Sequence, residues 1–238
     1  MKKEKMEKIK KLNEEWLNEL KNEENLRYLM YEPFNKYWEE NYKIVWCNLE
    51  PGGAPENKDE TTLSIDTLKY WFNNSKSPTI KHTSLFIYCL FNKLEGHDVN
   101  KDEKENVKND CNLLMNYIER ITYMNLLKDC GEPEFSEQYF KKFFSGEKGK
   151  KDKKKTKEFI EILNPDIFIV TGIGKELIEE LFNNKFDDKH SFVYNNILFM
   201  NLGHPRDGIW NLKDWEKSYI YNNVNLLKEN LMRYKLEK

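Results

Sequence analysis

Glu50, Asn125 and His204 carry the side chains best suited to act together on a substrate, and each sits at or near the end of a short apolar run. Glu50 follows KIVWCNL, Asn125 lies within ITYMNLL, and His204 follows NILFMNLG. A carboxylate stabilises positive charge or orients a water, and an imidazole donates to a developing anion. An amide offers a donor and an acceptor on one edge. Each residue also fits a plainer role. Glu50 before Pro51-Gly52-Gly53 suits a polar turn, Asn125 can serve as a satisfied buried amide, and His204 before Pro205 can cap a turn. Gly172-Ile173-Gly174-Lys175 follows a third apolar run. It lacks the third glycine of a dinucleotide fingerprint, so it reads as a strand-to-helix turn.

What must position these residues is a set of short, near-continuous apolar runs, the pattern of strands buried on both faces. The runs are Lys43–Leu49, Ile121–Leu127, Asp166–Thr171 and Asn196–Leu202. Helical periodicity lies between and after them, over Ser84–Leu94, Lys104–Glu119, Thr156–Leu163, Gly174–Phe182 and Trp215–Leu236. Strands alternating with helices predict a parallel α/β sheet. In such a sheet ligands bind beyond the carboxyl ends of the strands, which is where Glu50, Asn125 and His204 fall.

Two further helical stretches, over residues 4–22 and Leu26–Glu40, precede the first strand. They predict an N-terminal helical extension, residues 1–40, packed on one α/β domain spanning 41–238. Gly146–Lys157, GEKGKKDKKKTK, reads as a mobile lysine-rich loop, either merely solvated or in contact with a phosphate backbone. Residues 54–62 read as an exposed loop.

The formal charge of −2 argues against a uniformly basic nucleic-acid binder while leaving room for a local basic patch. Cys47, Cys89, Cys111 and Cys130 form no CxxC pair and suit buried reduced thiols. No run approaches the roughly 18 apolar residues of a membrane span, and MKKEKMEKIKK lacks a signal-peptide core. The expectation is a cytoplasmic, monomeric protein with no membrane partner.

Taken in order, these segments resemble the uracil-DNA glycosylase superfamily over roughly residues 12–232. Asn48-Leu49-Glu50-Pro51-Gly52 is similar to the family's first motif, with Asn48 in place of its leading glycine. Tyr123-Met124-Asn125-Leu126-Leu127-Lys128 looks like the middle strand motif. Asn164-Pro165-Asp166 through Gly174-Lys175 is similar to the next element, and His204-Pro205-Arg206 to the last, with Arg206 where most members carry serine. The implied fold is a three-layer sandwich, a four-stranded mainly parallel sheet flanked by helices.

The resemblance implies a DNA glycosylase that flips a pyrimidine out of the stack and hydrolyses its N-glycosidic bond. Glu50 would stabilise the sugar cation or position water, and His204 would donate to the leaving base. Asn125 would read the base edge, and Trp71 or Phe72 would stack on it. Pro51 and Gly52 would line the pocket. Members restricted to uracil place a tyrosine where this chain has Gly52, so a 5-modified or mismatched pyrimidine becomes an expected substrate. Gly52 also fits a turn residue of positive φ. Arg206, Ile209 and Trp210 would fill the gap left by the flipped base, while Lys150, Lys151 and Lys175 would contact DNA. The cysteines do not match the spacing of iron–sulfur members, and no cofactor is expected. Such an enzyme would serve repair or defence against phage with modified DNA. The competing readings are a catalytically silent DNA- or protein-binding member of the fold, and a small-molecule nucleotide enzyme supported only by the GIGK turn.

Overall fold

The computed structural model describes residues 2–20, 31–48, 63–74, 79–126, 146–172, 174–203, 218–236 and 238. In chain order its elements begin with α1 (Lys2–Leu20), β1 (Ile44–Asn48), α2 (Ile65–Asn74), α3 (Thr79–Leu94), α4 (Lys101–Val107), α5 (Cys111–Ile118) and β2 (Thr122–Asn125). They continue with α6 (Glu147–Leu163), β3 (Ile167–Thr171), α7 (Gly174–Phe182), β4 (Ser191–Tyr194), β5 (Ile197–Leu202) and α8 (Tyr219–Arg233).

The strands form one five-stranded sheet in the order β2-β1-β3-β5-β4. The first four pair in parallel and β4 runs antiparallel to β5. Each expected apolar run contains one of the parallel strands, because side chains buried on both faces leave no room for polar alternation. Trp46 meets Phe86 of α3 on one face, whereas on the other Phe199 meets both Phe168 and Phe182 of α7. Helices α3 and α8 pack together on the first side, and α1 packs against α6. From α1, Ile9, Leu12 and Trp16 are buried at helical spacing, with Ile9 and Leu12 in the same core cluster as the strands.

Four expectations need correction. The sheet has a fifth strand, β4, that the apolar runs did not single out. It joins β5 through Asn195 and Asn196, whose φ values of 49° and 63° suit the two-residue turn that tight hairpins prefer. The Lys104–Glu119 stretch is two helices, because Asp110 caps a new start by accepting from Leu113 N at 2.9 Å. Of Leu26–Glu40, the described residues 31–40 hold only a 3-10 turn at Tyr37–Glu39. Pro33 there lacks an amide N–H and biases Glu32 away from the helical region. The lysine-rich segment is not a loop: it forms the first half of α6.

Helix α2 has no counterpart among the expected elements. Its start is marked by Ser64 Oγ, which accepts from Thr67 N at 3.1 Å. The GIGK segment behaves as read. Gly172 takes a φ of 64° at the end of β3, and α7 begins at Gly174. A Cβ on Gly174 would stand 2.7 Å from Val170 Cγ2 and 2.9 Å from Leu126 Cδ1, so a larger residue would push these buried side chains aside where the helix starts against the sheet. Among the described residues no helix is long and apolar enough to cross a membrane.

Candidate functional site

At the carboxyl end of the sheet, β1 and β2 finish on a matched pair. Trp46 stands opposite Tyr123, and Asn48 opposite Asn125. Side chains directly across a parallel pair share a face, so both asparagines point to the side on which α3 packs. Asn48 is 3% exposed and its amide is almost fully used. Nδ2 donates to Tyr123 Oη at 2.5 Å, while Oδ1 accepts from Trp46 Nε1 at 3.2 Å and from Thr171 Oγ1 at 2.7 Å. One side chain thus joins the ends of three neighbouring strands.

Burial of the Tyr123 ring pushes its hydroxyl well above the ordinary tyrosine range, an effect reinforced by Cys47 and only partly offset by the Asn48 hydrogen bond. Tyr123 is therefore a neutral hydrogen-bonding group at physiological pH and not a proton carrier. The same holds for the amides and for Thr171. This described cluster orders backbone; it does not itself move protons.

Asn125 is 2% exposed and donates from Nδ2 to Tyr31 Oη at 2.6 Å. Tyr31 is itself buried, and its backbone carbonyl accepts from Asn13 Nδ2 of α1 at 3.0 Å. The N-terminal segment is thereby tied to the end of the edge strand β2. Leu126 N continues the ladder past the strand by donating to Asn48 O at 2.9 Å.

Of the other residues singled out by sequence, Phe72 and Trp71 lie on α2. Phe72 is buried in the core with the Lys81 ammonium 5.2 Å from its ring centroid, and Trp71 is half-buried against the core. Lys175 opens α7 and faces Glu179 at 3.8 Å. Lys150 and Lys151 are exposed in the first turns of α6. Glu50, Pro51, Gly52, His204, Arg206, Ile209 and Trp210 lie outside the described residues, as do residues 54–62. The chain enters the 204–217 segment at Gly203 and leaves it at Ser218, and these ends are tied. Gly203 N donates to Tyr219 Oη, and Ser218 caps α8 by accepting from Tyr221 N. Cys47 and Cys89 are buried free thiols and Cys111 is half-buried, while Cys130 falls outside the described residues.

No protein-family model and no curated protein matches this chain.

Sequence reasoning picked Asn125 but missed its partners. Asn48 entered only as a departure from a motif, Tyr123 and Thr171 only as members of strand segments, and Tyr31 not by name. A signal was present: Trp46-Cys47-Asn48 and Tyr123-Met124-Asn125 repeat an aromatic-x-Asn pattern in two strands. Period-two alternation places both members of each pair on one face. What the letters do not give is the register that sets the two pairs side by side.

Proposed function

We propose that the chain is a DNA glycosylase that flips out a pyrimidine and excises it by hydrolysis. The observation that carries this reading is the Asn48–Asn125 pair at the carboxyl end of a parallel sheet. Glu50 follows Asn48 by two residues in the sequence. Ligands of open parallel sheets bind at that end, and hydrogen bonds to three strands fix Asn48 there.

In this reading Glu50 stabilises the positive charge that develops on the sugar, or orients the attacking water. His204 donates to the leaving base, and Asn125 reads the base edge. Gly52 leaves the pocket open beside C5, so mismatched and 5-modified pyrimidines join uracil as substrates. Arg206, Ile209 and Trp210 occupy the gap in the duplex. Pairing of the Lys175 ammonium with Glu179 leaves it a weaker phosphate contact than its position alone suggests.

One observation favours a second reading, a catalytically silent DNA- or protein-binding member of the fold. Asn125 already has one of its two amide N–H donors engaged by a buried tyrosine. A structural role for the amide accounts for that bond without a ligand.

The two readings separate on duplexes containing uracil, thymine mismatches, and 5-substituted or glucosylated cytosines. Alkali-labile abasic sites that disappear on Glu50→Gln and on His204→Ala support the enzyme. Release from uracil points to repair, and release from glucosylated cytosine to defence against modified phage DNA. DNA binding without release of any base makes the silent reading the correct one.

A further inference from the structure

The six α6 lysines whose side chains are described are sorted by the fold into two groups. Lys153 pairs with Glu180 of α7, Lys155 pairs with Glu19 of α1 at 2.8 Å, and the Lys157 ammonium stands 5.7 Å from the Phe182 ring centroid. These three flank the buried stripe made by Thr156, Phe159, Ile160 and Leu163, and they staple the helix to its neighbours. Lys150, Lys151 and Lys154 are exposed and take no ion pair among the described residues. At about 100° per residue they occupy one arc of the helix, centred opposite the buried stripe.

Their place in the fold is equally specific. Lys153 faces Glu180 and Lys157 faces Phe182, so α6 and α7 run side by side in the same direction. Helix α7 starts at the carboxyl end of β3, and therefore the first turns of α6 lie at that end too. It is the end of the sheet at which Asn48 and Asn125 sit. Toward the opposite end the outer face of α6 turns acidic, at Glu158 and Glu161.

This distribution works against the helix itself. Cations are favoured at a helix C-terminus and anions at the N-terminus, yet α6 has the reverse apart from Glu147 at its first position. Its N-cap, Gly146, offers no side-chain cap either. The free lysines thus weaken the local structure, and their charge adds to the positive end of the helix dipole. With a net charge of −2 the chain as a whole does not attract polyanions, so any such attraction has to come from a concentrated patch.

We propose that Lys150, Lys151 and Lys154 form a track for the phosphate backbone of duplex DNA, beside the base-handling end of the sheet. This rests on the glycosylase reading and adds to it a rigid contact surface, distinct from Lys153, Lys155 and Lys157. Duplex DNA carries about one charge per 1.7 Å of axis, and each phosphate neutralised contributes about 0.9 to the slope of log K against log salt.

The test uses the full chain and a labelled duplex of unmodified sequence, titrated between about 50 and 200 mM salt, where such slopes are measurable. The variant K150Q/K151Q/K154Q is expected to keep the wild-type melting temperature and to flatten the slope by about 2–3. The comparison variant K153Q/K157Q is expected to keep the slope and melt earlier. If the wild type binds duplex and the triple variant binds it with unchanged affinity and slope, the track is wrong while the glycosylase reading stands. Loss of binding to anionic vesicles without loss on duplex likewise overturns the track, because the face would then serve a membrane. A wild type that binds no DNA removes the glycosylase reading itself.

Discussion

Asn48 Oδ1 accepts a hydrogen bond from Thr171 Oγ1 at 2.7 Å, one residue beyond the last ladder pair of β1 and β3, Cys47 with Val170. The sheet is thus extended by side chains after its backbone pairing stops. Replacing Asn48 with leucine keeps the size but removes one hydrogen-bond partner each from the Tyr123 hydroxyl, the Trp46 indole N–H and the Thr171 hydroxyl, which keeps only the long contact to Cys47 O at 3.4 Å. Buried groups stranded in this way cost about 1–3 kcal/mol. Asn48→Leu is expected to lower unfolding stability by about 3 kcal/mol in a urea titration. A loss below about 0.5 kcal/mol, the range of ordinary surface substitutions, would show that the amide does not organise the strand ends.

The Tyr31–Asn125 contact makes a separate prediction. Tyr31→Phe removes one hydroxyl from a buried site without changing its shape, at an expected cost of about 1–2 kcal/mol. Combined with Asn125→Ala in a double-mutant cycle, it should return a coupling energy of about 1 kcal/mol, as for residues in direct contact. Strictly additive effects would mean that the tyrosine and the amide act independently.

Acid should loosen the β4–β5 hairpin before the rest of the sheet. Asp187 Oδ1 accepts from Ser191 N at 2.9 Å, and Oδ2 accepts from Arg233 Nη1 at 2.6 Å and Tyr234 Oη at 3.2 Å. Partial burial raises this carboxyl, but the hydrogen bonds and the Arg233 charge outweigh it and hold the group below the usual aspartate value. A depressed folded pKa adds stability that is complete above the unfolded value of about 3.9 and is lost as pH falls toward the folded one. Asp187→Asn should therefore melt below wild type at pH 6, with the two curves converging as pH drops below about 4. A gap that stays constant down to pH 3 would contradict the linkage.

Much of this fold is legible in one sequence. IVWCN, IFIVT and ILFMNL announce buried strands because each is apolar at nearly every position, and TYMN does so through the longer run ITYMNLL around it. The errors cluster where local signals compete with distant partners. SFVY has only polar residues on either side and does not stand out, and it becomes a strand because Asn195 and Asn196 fold it back onto β5. GEKGKKDKKKTK has glycines, like charges and no apolar stripe in its first turns, all of which weaken a helix in isolation. It is helical because Glu19, Glu180 and Phe182, far away in the chain, hold its inner lysines.

The candidate site divides along the same line. Strand ends alone assign Glu50, Asn125 and His204 to one end of the expected sheet, because a side chain after a buried strand emerges where the sheet stops, and of the three the described residues include Asn125. Residue letters do not encode register between strands. Only the tertiary structure sets Asn48 beside Asn125, reaches Tyr31 across from the N-terminal segment, and turns Lys150, Lys151 and Lys154 of α6 outward while pairing Lys153 and Lys155 with carboxylates. Hydrogen bonds and ion pairs need contact within about 3–4 Å, and which residues come that close is decided by how the helices pack on the sheet.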